Sequence, residues 1–155
     1  MDLLPIFQSL EATGLGRAVR ESLWLFPVIE CVHLLALALL GGSILVVDLR
    51  LLGLGLTAQP VDDLARRLHP WLAGSLFLLI ATGIPMFLSE ALKCFYSPPF
   101  WVKIGLLCVA ALFTFTIRRR VLARPAPPLL AASTALVSLA LWFGVGFAGR
   151  WIAFY

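Results

Sequence analysis

Glu30 and His33 stand one helical turn apart inside ECVHLLALALLGGSILVVDLR, a stretch otherwise made mostly of Leu, Ala, Val and Ile. A carboxylate and an imidazole at that spacing can do three kinds of chemistry. The imidazole can ligate haem iron or another metal while the carboxylate holds its second nitrogen. The two can pass a proton, or they can hydrogen-bond and simply hold helices together. At 100° per residue, Glu30, His33, Leu37, Gly41, Ile44 and Asp48 fall within about one quarter of a helix circumference. Exposing a charged group to lipid costs at least ~2.5–3.5 kcal/mol, so the stripe is expected to face protein. The expected cofactor site is therefore His33 as ligand, Glu30 as its neighbour and Gly41 as a point of close approach. Ala38 and Gly42, like Gly144 and Ala148, are spaced for tight helix contact.

Other ligand sets are less well supplied. His69, the second of two histidines, is expected at the depth of residue 45 or 46. That is about 13 residues, or roughly 20 Å, from His33 along the helix, so one iron cannot take both. Copper wants soft ligands, and the methionines are Met1 and Met86. Cys31, two positions before His33, points elsewhere on a helix. Cys31, Cys94 and Cys108 form no close pair, which argues against a disulfide framework or a zinc site.

The elements that must position these residues follow from composition. Of 155 residues, 61% are hydrophobic and 13% charged, with a mean hydropathy of +1.00; soluble domains are nearer half and a quarter. A chain this short allows one domain, 1–155, and its composition places that domain in the lipid bilayer. Four hydrophobic runs, about 23–47, 70–92, 99–117 and 128–149, are each long enough to cross it. Pro70, Pro99 and Pro128 mark the entrances of three, and Pro85 should kink the second. The short links make neighbours antiparallel, so the expected fold is all-α: an integral membrane four-helix bundle. Leu3, Leu4, Phe7 and Leu10 recur at helical spacing and predict a surface helix within residues 1–20. That segment does not read as a cleaved signal peptide.

Charge sits at the ends of the runs, where it marks topology and lipid head groups and carries no nucleic-acid signature. The links after spans one and three hold Arg50, Arg66, Arg67, Arg118, Arg119, Arg120 and Arg124, seven in all; the other side holds Arg17, Arg20, Lys93, Lys103 and Arg150, five. Cytoplasmic loops attract the excess, so the expected location is a bacterial inner membrane with both termini outward. Depth matching across the hairpins pairs Asp48 with Arg66 or Arg67, and Glu90 with Lys103, as structural ion pairs.

ESLWLFPVIECVHLLALALLGGSILVVDLRLLG, SEALKCFYSPPFWVKIGLL and GFAGRWIAFY resemble an uncharacterised family of small bacterial membrane proteins. The resemblance covers most of the chain and implies no activity. More distantly, His33, Gly41 or Gly42, Arg50, Trp101 and Lys103 are similar to a pattern in copper-resistance-D and HemJ-type membrane proteins. That likeness implies haem binding at His33 and oxidation of protoporphyrinogen. The third span departs from it, ending FTFTIRRR with no further histidine.

The leading expectation is a haem b-binding or electron-transfer membrane component. The alternatives are a non-catalytic accessory subunit and a proton-coupled small transporter built as an oligomer. Expected partners are lipid and either further copies of the chain or a redox subunit.

Overall fold

The computed structural model describes residues 3–124 and 126–154, so Met1 and Asp2 of the expected surface segment lie outside the described residues. Every regular element among the described residues is helical. Two short helices, α1 (Leu4–Glu11) and α2 (Gly14–Glu21), precede the long ones. The spans are Leu25–Leu51, Val61–Ser89 and Pro98–Leu122, with the fourth running from Pro128 to Trp151. All four are long and apolar enough to cross a membrane. The chain is a small multi-pass membrane protein built as an all-α bundle.

Three helix ends differ from hydropathy because a helix stops where its hydrogen bonds stop, whatever its polarity. The first span continues past Val47 through Asp48 and Arg50. It closes where Gly53 adopts φ +74°. The Gly53 N–H then bonds the Arg50 carbonyl and the Leu54 N–H bonds that of Leu49, an arrangement that favours glycine. The second span begins at Val61, nine residues before Pro70. Asp62 and Asp63 complement the positive end of the helix in its first turn, and Arg66 and Arg67 pair with them. Pro70 is therefore inside the helix, as Pro85 is, and not at its entrance. The third span carries a π-helical turn, Thr114–Arg118, before ending at Leu122.

The first span packs along the second and the fourth, and the fourth packs along the third; the second and third approach each other less closely. Leu40 and Ile44, Leu72, Ala110, Trp142 and Val145 form the core where the four meet. Outward faces stay apolar: Leu35 and Phe77 are 71% and 73% exposed, a surface that lipid covers.

The N-terminal helices fold over one end of the bundle. Phe7 is buried, with its ring centroid 5.7 Å from that of Phe87 and 5.0 Å from that of Phe95. Glu11 accepts the Leu92 N–H at 2.6 Å and pairs with Arg20, whose guanidinium also donates to the Ser89 carbonyl. At Gly16 a Cβ would lie 2.4 Å from the Leu88 carbonyl oxygen, so glycine allows backbone to meet backbone. Ile6 and Leu15 remain exposed on the outer side.

Candidate functional site

His33 lies half-buried on the first span, against the second. Its Nδ1 is 2.8 Å from Thr82 Oγ1. The Thr82 hydroxyl donates its single proton to the Leu78 carbonyl at 2.7 Å. Assigned on that bond, the hydroxyl accepts from the ring, so the imidazole carries its proton on Nδ1 and its lone pair on Nε2. Gly83 makes room beneath: a Cβ there would sit 3.5 Å from His33 Cε1. Lys103, on the third span, lies close enough for its charge to act on the ring. Its stem crosses Gly149 of the fourth span, where a Cβ would be 3.4 Å from both Cε and Nζ. One polar rung thus draws on all four spans.

The structure does not bring Glu30 or Gly41 into this rung. Both are exposed, and nothing lies within 4 Å of a Cβ built on Gly41. Glu30 has the same helical angle as the buried Asp48, five turns on, so its exposure reflects what packs at its level of the bundle and not its direction on the helix. Thr82 takes the hydrogen-bonding place expected of Glu30, and Gly83 gives the close approach expected of Gly41. His69 is exposed at the far end of the second span.

A second rung occupies the other end. Asp48 Oδ1 accepts from Arg118 Nε at 2.8 Å, with the two side chains 0% and 5% exposed. Ser138 of the fourth span sits beside the same carboxylate. Asp48 Oδ2, Arg118 Nη2 and Ser138 Oγ are buried without a hydrogen-bond partner. Trp142 Nε1 donates to Thr114 Oγ1 at 3.0 Å, fastening the π turn to the fourth span. The expected partners Arg66 and Arg67 are instead held by Asp62 and Asp63 on their own helix. They are one turn away there, so local pairing precludes the reach to Asp48. Glu90 and Lys103 form no ion pair within 4.0 Å either: Glu90 is exposed at the end of the second span, whereas Lys103 turns inward over Gly149.

Among the described residues no group of three or more His, Cys, Asp and Glu side chains is placed to hold a metal ion. Cys31 and Cys108 are exposed on outer faces and Cys94 is buried. Burial, then the Glu90 carboxylate, pushes the Cys94 thiol up to about 11 against the opposing pull of Lys103 and Lys93.

Reading the sequence missed Thr82, Gly83, Arg118, Ser138 and Gly149 as members of the rungs. The matching rule could have found the first: a turn centred at Thr57 sets His33 level with residue 81, next to Thr82.

The profile of a family of unknown function (DUF6644) matches residues 23–155. No curated protein and no solved structure matches. Nothing in these comparisons connects the chain to copper-resistance-D or HemJ-type proteins.

Proposed function

The chain belongs to the DUF6644 family, a family of unknown function, and we propose that it is a haem b-binding or electron-transfer component of a bacterial inner membrane, with His33 as axial ligand. The observation that carries this reading is the hydrogen bond from Nδ1 to Thr82. Metal-ligating histidines almost always donate their other ring N–H to an acceptor, which fixes tautomer and orientation. Here Thr82 is the acceptor assigned to Nδ1–H, which leaves Nε2 with the lone pair that iron takes.

Bound there, the haem would supply a one-electron iron couple. His33 contributes the lone pair and Thr82 keeps the ring from turning. Lys103 adds positive charge on the same side of the bundle. With the more basic end of the bundle inside, both termini face outward and this rung lies nearer the outer surface.

The experiment is an absorption spectrum of protein expressed with haem supplied. A Soret band is expected, absent in His33→Ala and retained in His69→Ala. Thr82→Val should keep the band but hold haem about 10–100-fold less tightly, the usual effect of losing an orienting partner. Colourless wild-type protein would end this reading.

A second reading, a non-catalytic accessory subunit, is favoured by the buried Asp48–Arg118 pair, which ties spans together without any ligand. Co-purification of a fixed partner without a cofactor would select it.

A further inference from the structure

At the end of the bundle that carries the second rung, a cleft of about 490 Å³ opens between the ends of all four spans. Arg50, Asp62 and Arg124 line it together with Leu51, Val121 and Ala131. The charges are unevenly answered. Asp62 is paired with Arg66 at 3.4 Å. Arg50 uses Nε and Nη2 on the carbonyls of Gln59 and Thr57, neutral acceptors that leave its charge unopposed. Among the described residues, neither Arg50 nor Arg124 has a carboxylate within 4.0 Å. Arg119 and Arg120 stand exposed at the same end but line no part of the cleft. The cleft therefore sets two positive charges without a carboxylate partner beside the apolar side chains of Leu51, Val121 and Ala131, in a lining of mixed polarity.

We propose that this cleft holds the head group of an anionic phospholipid, its phosphate between Arg50 and Arg124 and its glycerol and first chain carbons against Leu51, Val121 and Ala131. Guanidinium groups suit phosphate because their N–H forks match its oxygens. The apolar walls favour a lipid over a free anion, because a free phosphate has nothing to place against them. A lipid seated here touches the first span, the start of the second, the end of the third and the start of the fourth.

Native mass spectrometry of protein released from nanodiscs of equal phosphatidylglycerol and phosphatidylcholine tests the assignment. A guanidinium that holds the head group directly is worth about a fivefold preference for anionic lipid. Wild type should retain phosphatidylglycerol over phosphatidylcholine by roughly thirtyfold if both act. Arg124→Gln should lower that ratio about fivefold, whereas Arg119→Gln, outside the cleft, should leave it unchanged. Ala131→Trp, which fills the cleft and alters no charge, should abolish retention, so the test does not depend on one variant folding. An Arg124→Gln ratio equal to wild type overturns the proposal, as does an equal fall in Arg119→Gln, which marks diffuse surface attraction. In lipid-free detergent, phosphatidylglycerol should raise the melting temperature and inorganic phosphate should not. Equal stabilisation by phosphate would hand the cleft to a soluble anion and overturn the lipid assignment.

Discussion

Removing one partner of the Asp48–Arg118 pair should destabilise the bundle far more than removing both. The two side chains are 0% and 5% exposed and share one 2.8 Å hydrogen bond. Arg118→Met leaves a carboxylate with its counter-charge gone, and Asp48→Leu leaves a guanidinium in the same position. Breaking a buried pair from either side costs about 3–5 kcal/mol, because the survivor stays desolvated and unanswered. The double variant removes both charges and both orphaned atoms, Asp48 Oδ2 and Arg118 Nη2. Replacing a whole buried pair with apolar groups is neutral to stabilising by about 1–4 kcal/mol. The half-closed geometry here, one bond where a guanidinium fork could make two, places this pair toward the replaceable end. The assay is reversible unfolding of the four proteins in mixed detergent micelles, followed by circular dichroism. The coupling energy from that cycle should be at least about 6 kcal/mol in magnitude. Singles that each lose less than about 1 kcal/mol and add in the double would refute the reasoning.

Gly16→Ala should undock the N-terminal helices, since its Cβ would fall 2.4 Å from the Leu88 carbonyl oxygen, backbone that cannot step aside. A loss of about 1–3 kcal/mol is expected, read as faster proteolysis before Leu25; Gly14→Ala, with nothing within 4 Å, is the control and should be silent. Cys94, its thiol pushed up to about 11 from 9.0, should alkylate about 100-fold more slowly at pH 8 than an ordinary thiol, since the thiolate is the reactive form. In a Cys31→Ser/Cys108→Ser background its rate should still be climbing above pH 10; a plateau near pH 9 would contradict the assigned environment.

The architecture was legible in the sequence because the bilayer demands apolar runs of a fixed length, and 61% hydrophobic residues leave few other readings. The ends of the helices were not. Asp62 and Asp63 look like a loop to hydropathy, yet they are good first-turn residues, and Val61–Ser89 begins with them. Within the site, His33 and Asp48 were recognisable as residues that must find partners. Their partners were harder to see for two separate reasons. Thr82 reads as a filler in an apolar run, because a hydroxyl that back-bonds to its own helix is unremarkable by composition. Arg118 lies in a cluster of arginines that looks like a topology signal, and hairpin depth matching compares only neighbours in sequence. Glu30 shows the limit of a helical stripe: it shares its angle with the buried Asp48 five turns on, yet is exposed, because a stripe does not say what packs at each level.

The two rungs obey one register. Asp48 and Arg118 are 70 positions apart, and so are His33 and Lys103. The first and third spans run parallel, so a constant offset puts each pair at its own depth, 15 residues or about 22 Å from the other. The third span nevertheless contains a π turn between Lys103 and Arg118, which takes up one extra residue. That extra residue turns Arg118 away from the outward direction of Phe115 and Ile117, both exposed, and into the bundle. Thr114, at the start of the same turn, is fixed by Trp142, so the fourth span holds the distortion that the pair requires. The His33 rung has no such device: Lys103 reaches across Gly149 and, among the described residues, has no carboxylate within 4.0 Å. One end of the bundle is thus closed by a matched pair of charges, and the other presents an unanswered ammonium beside a free imidazole nitrogen. That asymmetry suits the Asp48 rung to a strut and, on the function proposed above, the His33 rung to a ligand.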